Sequence, residues 1–295
     1  AAFGSICDHL FVCSGKRGVR RPIVRTESET GIHYRLGPAE SLAIGNCGGL
    51  AISADGAVIT CVDRYHLKRI TLHNARTGFS GVLTPAHDDA RWIDLSAPGH
   101  LIASSAWSGT NVIASGALPG TNVQIWDAAT GELRRTIPSG NAKVQFSPDG
   151  TKLAIDEGNS FRVLDTKDWR EVLEEQTKSL GSLEPGTPAF SPDGHILAVP
   201  WGTHEIRLLD TRDYSEITRF VLPHSDRIED LTFSGGGDRL LASARGHWGT
   251  LHVWDLLELR KRLAAIGLDW DHLGIRERAD ESKPVRVMID ASQAH

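Results

Sequence analysis

The chain has 295 residues, 40% of them hydrophobic, and a formal net charge of −5. That length can bury a large core, and the mild acidity gives no global attraction to nucleic acid. No run of eighteen apolar residues is present, so no helical membrane span and no direct membrane insertion is predicted.

Taken in chain order, one small pattern recurs six times. An apolar residue is followed by a tight turn, and a second apolar residue stands seven positions on. The copies run from Phe3 to Leu10, Ile52 to Ile59, Leu95 to Ile102, Phe146 to Leu153, Phe190 to Leu197 and Phe233 to Leu240, with starts 49, 43, 51, 44 and 43 residues apart. A period in the forties built from short strands predicts propeller blades. The clearest turns are Ser147-Pro148-Asp149-Gly150 and Ser191-Pro192-Asp193-Gly194. Proline presets φ at the second turn position and glycine suits the fourth. Short apolar runs follow, such as Val58-Ile59-Thr60-Cys61 and Ile196-Leu197-Ala198-Val199, as expected of strands sandwiched between neighbouring blades.

A second mark follows roughly twenty residues after the first anchor, as repeat registers allow. It reads Trp126-Asp127, Leu164-Asp165, Leu209-Asp210 and Trp254-Asp255, with degenerate copies at Arg21-Pro22 and His73-Asn74. Its Asp or Asn is suited to cap the next turn. Each unit therefore reads strand a, turn, strand b, loop, strand c ending in this mark, turn, strand d.

These residues resemble the WD-repeat family, from Phe3 to Asp255. The resemblance implies an all-β propeller of six four-stranded repeat units over 1–255, either a six-bladed ring or six blades of a larger, incomplete one. The family often ties each blade with a His, Ser/Thr, Asp and Trp network. The last unit keeps His224, Ser243 and Trp254, but Trp248 stands where the family has Asp. Blades held mainly by apolar packing are the expectation.

After Trp254 the period breaks. Asp255 with Glu258 suggests a capped helix start, and Leu256, Leu259, Leu263 and Ile266 share one helical face. An amphipathic helix over 256–266, within a C-terminal unit 256–268, should replace the last blade's fourth strand or dock beside it. Gly267 is the expected stop. Residues 269–295 read as a tail or linker, with a short strand possible at Val285-Arg286-Val287-Met288-Ile289-Asp290. The stretch 251–271 resembles the end of the propeller region in large bacterial multidomain proteins, often fused behind a serine/threonine kinase domain. That implies a module tethered to further domains. With Ala1-Ala2-Phe3 already at the end of a strand, the chain reads as the C-terminal part of a longer protein.

Four cysteines, Cys7, Cys13, Cys47 and Cys61, form no CxxC pair. Buried free thiols are expected, a Cys7–Cys13 bridge being the alternative, and a reducing cytoplasmic setting fits them. An upstream membrane span would place the module outside the cytoplasm.

No kinase loop, P-loop, HExxH or GxSxG motif occurs. The thirteen histidines lack zinc-site spacing, and Asp269-Trp270-Asp271-His272 reads as solvated tail. No catalytic residue, metal or cofactor is assigned. The cluster Lys16, Arg17, Arg20, Arg21 and Arg25 reads as a solvated hairpin face.

One constellation remains. The b–c loops of a propeller share one face, and here they carry Arg64, Tyr65, His66, Trp107, Trp201, His204, His247 and Trp248. The d–a loops add His87, Arg91, Trp92 and His224 on the same face. The third unit also holds its insertion there: Leu95 to Trp126 spans 31 residues, against 18 or 19 in the fourth and fifth units. Trp, Tyr and Arg are enriched at binding hot spots. A protein or peptide partner suits such a patch better than nucleic acid. These aromatics could equally tuck between blades and seal the rim. The functional expectation is a non-catalytic interaction scaffold. An enzyme with a dispersed site at the central channel and a structural spacer are the alternatives.

Overall fold

Every anchor pair is a direct cross-strand pair. Phe3 faces Leu10, Ile52 faces Ile59, Leu95 faces Ile102, Phe146 faces Leu153, Phe190 faces Leu197 and Phe233 faces Leu240. The second mark completes each rung. Arg21, His73, Trp126, Leu164, Leu209 and Trp254 lie opposite the second anchor of their own units. A tight a–b turn leaves no slack, so seven residues of separation set the register of three strands.

The computed structural model describes residues 2–3, 9–14, 17–28, 31–42, 47–63, 69–84, 89–106, 122–177, 185–223, 226–245, 249–268 and 285–289. Six antiparallel blades form a β-propeller. The first holds β1 (Ala2–Phe3), β2 (His9–Ser14), the leading half of β3 (Arg17–Ser28) and, beyond β4 (Gly31–Leu36), β5 (Glu40–Leu42). The second is β6 (Cys47–Ile52), β7 (Val58–Asp63), β8 (Ile70–Asn74) and β9 (Phe79–Leu83). The third is β10 (Ala90–Leu95), β11 (Leu101–Ala106), β12 (Asn122–Asp127) and β13 (Leu133–Pro138). The fourth is β14 (Lys143–Phe146), β15 (Lys152–Asp156), β16 (Ser160–Asp165) and β17 (Glu171–Gln176). The fifth is β18 (Ala189–Phe190), β19 (Ile196–Trp201), β20 (Glu205–Asp210) and β21 (Glu216–Val221).

In the sixth blade the expected C-terminal helix follows the third strand. Among the described residues this blade has β22 (Arg227–Phe233), β23 (Arg239–Arg245) and β24 (Thr250–Asp255), and the chain then enters helix α1 (Leu256–Ala264). Asp255 caps that helix by accepting the Glu258 N–H. Gly267, at φ +73°, turns the chain so that the Leu268 N–H reaches the Leu263 carbonyl. The closing strand β25 (Val285–Ile289) pairs in parallel with β4, which forms a hairpin with the trailing half of β3.

The turns repeat one hydrogen-bond device. In Ser53, Ser147 and Ser191 the hydroxyl donates to the Asp two residues on and accepts the N–H five residues on. At the c–d turns, Asn74, Asp127, Asp165 and Asp210 accept backbone N–H groups just ahead. Four residues after each of these the backbone is left-handed. Gly78 and Gly131 take that place in two blades, Trp169 and Tyr214 in two others. A left-handed non-glycine residue costs roughly 1–2 kcal/mol. Here it turns a ring onto the core, for Trp169 and Tyr214 both pack against buried clusters.

The core is a set of seams. Five apolar clusters lie between successive blades, from the first and second to the fifth and sixth. In each, the rung faces the preceding blade, and in the second to fifth blades the other face of strand c meets the following blade. Trp126 thus packs among second-blade residues, whereas Val123 and Ile125 pack against the fourth blade. Polar ties are few. Trp126 Nε1 donates to Ser104 Oγ at 2.9 Å inside the third blade, both residues fully buried. Cys47 and Cys61 are buried free thiols at the first seam, while Cys7 and the Cys13 side chain lie outside the described residues.

Candidate interface at the channel mouth

The a strands are innermost, and one position of each repeat faces the axis. Three residues before the first anchor stand Gly49, Trp92, Lys143, Thr187 and Asp230 in the second to sixth blades. All five line a cavity of about 450 Å³. It adjoins a recess of about 270 Å³ lined by Arg91, Trp92, Lys143, Pro185, Arg227, Glu229, Asp230 and Arg245. These residues sit at the beginnings of a strands and the end of β23, so the recess opens on the b–c and d–a loop face.

Lys143 is the hub. Its Nζ donates to the Glu229 carbonyl at 2.7 Å and to Asp230 Oδ1 at 3.1 Å, reaching from the fourth blade to the sixth. It also lies 6.0 Å from the centre of the Trp92 ring. The reach past the fifth blade follows from the shortness of β18. Ahead of that two-residue strand the chain bonds to the sixth blade instead. The Thr187 N–H donates to the Glu229 carbonyl at 2.9 Å, the Leu231 N–H donates to the Thr187 carbonyl at 3.2 Å, and the Thr187 hydroxyl donates to Asp230.

Arg227 and Arg245 face each other in register on β22 and β23. Glu229 pairs with both at 3.4 Å. Arg91 is held by Asp89 at 3.0 Å. The recess lining has four cationic side chains and two carboxylates, a local excess of positive charge on a chain whose total is −5. A concave, low-dielectric wall focuses such a field outward.

Behind Lys143, across β14 and β15, lies Asp156. Burial pushes its carboxyl up to about 7, although the Gly158 and Gly186 N–H groups bind it and Lys143 favours its charge. It fastens the segment before β18 to the b–c turn of the fourth blade. Glu157 beside it goes the other way. Burial opposes its ionisation, but the Ser160 and Ser139 hydroxyls and Arg162 outweigh that and hold it below the usual carboxylate range.

Of the residues predicted for this face, Arg91 and Trp92 line the recess. Trp201 does not offer an exposed ring: it is 7% exposed, with the Arg207 guanidinium stacked 4.1 Å above it. Glu175 and Glu216 hold that guanidinium in place, so the ring seals the rim of the fifth blade. His204 is half-buried in the next turn, its Nδ1 against the Thr203 hydroxyl at 2.9 Å, outside the recess lining. Arg64, Tyr65, His66, His87, Trp107, His224, His247 and Trp248 lie outside the described residues. Lys143, Thr187, Glu229, Asp230 and Arg245 were missed by a search confined to loops. For Lys143, Thr187 and Asp230 the signal is the fixed offset of three residues before each anchor, an offset that Glu229 and Arg245 do not share.

Fold and mouth together define a β-propeller with a charged, aromatic-lined entrance to its axis. No protein-family model matches the chain, and no curated protein does. Among solved structures, the hydrazine synthase of Kuenenia stuttgartiensis is similar, with 16% identity and a TM-score of 0.54 over 70% of this chain and 61% of that one. The chain thus spans about three-fifths of that neighbour's length. Likeness at this identity establishes the architecture alone.

Proposed function

We propose that the chain is a non-catalytic interaction scaffold of the WD-repeat kind, which receives a peptide bearing an acidic side chain at the channel mouth. The observation that carries this is the recess itself. Trp92 and Lys143 line it with Arg91, Arg227 and Arg245, at the ends of the inner strands that lead into the b–c and d–a loops. Arginine and tryptophan supply the largest side-chain contributions at interfaces, and local positive charge favours an anionic partner group.

One buried and one half-buried carboxylate have raised pKa values, but their bonds favour a structural role. Asp94 accepts the Phe146 N–H and Asp156 accepts those of Gly158 and Gly186. The Ser-Pro-Asp-Gly turns and the Trp-Asp pairs support the WD-repeat assignment. A cytoplasmic module tethered in a bacterial, kinase-associated multidomain protein is the wider setting, supported by the resemblance of segment 251–271.

Titration of acidic, neutral and basic peptide pools, followed by tryptophan fluorescence, tests the reading. Acidic peptides should bind selectively, and Arg91→Ala/Arg245→Ala should weaken them about tenfold or more, with further weakening as salt rises. Equal binding of all three pools, or undiminished binding by the double variant, overturns it.

A further inference from the structure

A carboxylate oxygen already sits in the channel mouth. Asp230 Oδ1 accepts a hydrogen bond from the Lys143 ammonium at 3.1 Å and another from the Thr187 hydroxyl. The two donors come from different blades, Lys143 from β14 and Thr187 from the segment ahead of β18. They converge on a residue of a third blade, in β22. All three residues stand three positions before the first anchor of their own unit, so closure of the ring brings them together. Among the described residues, Arg91, Trp92, Lys143 and Asp230 line both the recess and the cavity behind it, which makes them the neck between the two.

The donors are fixed and the acceptor is not. The Lys143 side chain is 11% exposed, and its Nζ also donates to the Glu229 carbonyl at 2.7 Å. Thr187 is held through its backbone, its N–H donating to the Glu229 carbonyl and its own carbonyl accepting the Leu231 N–H. The Asp230 side chain, by contrast, is 62% exposed. An ion pair with so exposed a partner adds little to stability. When the Asp230 carboxylate turns out to water, the three bonds to backbone carbonyls remain, and the seat between Lys143 and Thr187 is left ready for another acid.

We infer that Asp230 is an internal competitor for the ligand's acidic group: its carboxylate fills the seat between Lys143 and Thr187 in the free protein, and the incoming acid displaces it. The displacement rests on the reading of the mouth as a site for an acidic peptide side chain. Either carboxylate makes the same charge-assisted bonds there, so the exchange conserves the bonds of the seat and returns an exposed side chain to water. The ligand binds fully only in the fraction of molecules whose seat is open, and its apparent affinity is lower by that fraction. An amide or hydroxyl is a poorer acceptor than a carboxylate and does not displace Asp230. The competitor thereby sharpens discrimination between acidic and neutral peptides.

Hexaglutamate with both ends blocked is the probe, titrated by calorimetry into the 295-residue chain at low salt. Asp230→Ala empties the seat and should tighten binding about fivefold or more, the gain expected where Asp230 fills the seat about four-fifths of the time. Asp230→Asn keeps the shape without the charge and should give a smaller gain in the same direction. Removal of a negative charge also strengthens the field of the recess, and Thr187→Val separates the two causes. Valine has nearly the shape of threonine without its hydroxyl. Asp230→Ala/Thr187→Val should therefore lose most of the gain, whereas a gain from charge alone survives. Circular dichroism should show all the variants folded, because the backbone bonds of Thr187 are untouched. The inference is overturned if Asp230→Ala binds no tighter than the wild type, or if the gain persists in the double variant. Wild-type binding with no gain in Asp230→Ala sinks the displacement and leaves the acidic-peptide reading standing. Binding to neither chain sinks both.

Discussion

The Asp94 carboxylate accepts the backbone N–H of Phe146 at 2.6 Å, a hydrogen bond that crosses from the third blade to the fourth. Gln145 repeats it one seam later, its side-chain oxygen accepting the Phe190 N–H at 3.1 Å. In both cases the residue just before one anchor holds the backbone of the next. Where apolar packing does most of the work, such bonds align neighbouring blades along the axis.

Asp94 makes stability depend on pH. Burial raises its carboxyl from the ordinary 3.8 to about 6, against the hydrogen bonds that favour its charge, and burial raises Asp156 to about 7. The folded state therefore holds more protons than the unfolded chain between about pH 4 and 7. Stability from these groups is full below that window and is lost as pH rises through it, each unit costing about 1.4 kcal/mol per group at most. Asp55 acts oppositely and lower down. The Ser53 hydroxyl, then Arg76, hold it at about 2, so its contribution is lost only as pH falls below about 4. Asp94→Asn keeps an oxygen for Phe146 and should flatten the decline in urea-unfolding free energy between pH 4 and 6. An unchanged slope refutes this account.

Ser104→Ala should cost about 1–3 kcal/mol, because it leaves the buried Trp126 indole N–H without its acceptor. Chemical denaturation measures this directly. Restoring the hydroxyl acceptor with threonine should recover part of the loss, which removal of volume alone would not explain.

The two c–d turn glycines should differ. Gly78 has φ +75° and open space around it, whereas a Cβ on Gly131 would meet the Phe79 ring at 2.6 Å. Alanine at 78 should cost about 1 kcal/mol from backbone strain alone. Alanine at 131 should cost about 1–3 kcal/mol more from overpacking, and Phe79→Leu in the same chain should relieve part of that excess. Equal melting-temperature shifts for the two variants contradict the proposed clash.

Asp255→Ala removes the cap on the Glu258 N–H and should destabilise α1 by about 1 kcal/mol. Because Leu256 is anchored in the seam, the loss should appear as faster amide exchange over residues 259–264 rather than as global unfolding. Uniform acceleration across the blades is the contrary result.

The rungs were legible because they depend on local chain length. A tight turn and a seven-residue spacing put Phe146 opposite Leu153 whatever surrounds them, and an Asp after strand c caps the turn next to it. The side on which a tryptophan ends up was not legible. Trp92 and Trp201 read alike as aromatics at the loop face, yet one lines the channel mouth and the other lies beneath Arg207.

The sequence alone determined six repeats, their register, their turns and the capped helix, all consequences of backbone geometry within about forty residues. The tertiary structure decided which charges meet. Lys143 reaches Asp230, 87 positions away, only because five inner strands converge on one axis and β18 is short enough to pass. It also decided what stays uncovered. Leu251 has the same place in strand c as Val123, which the fourth blade buries, and only the absence of such a following seam among the described residues leaves it in water.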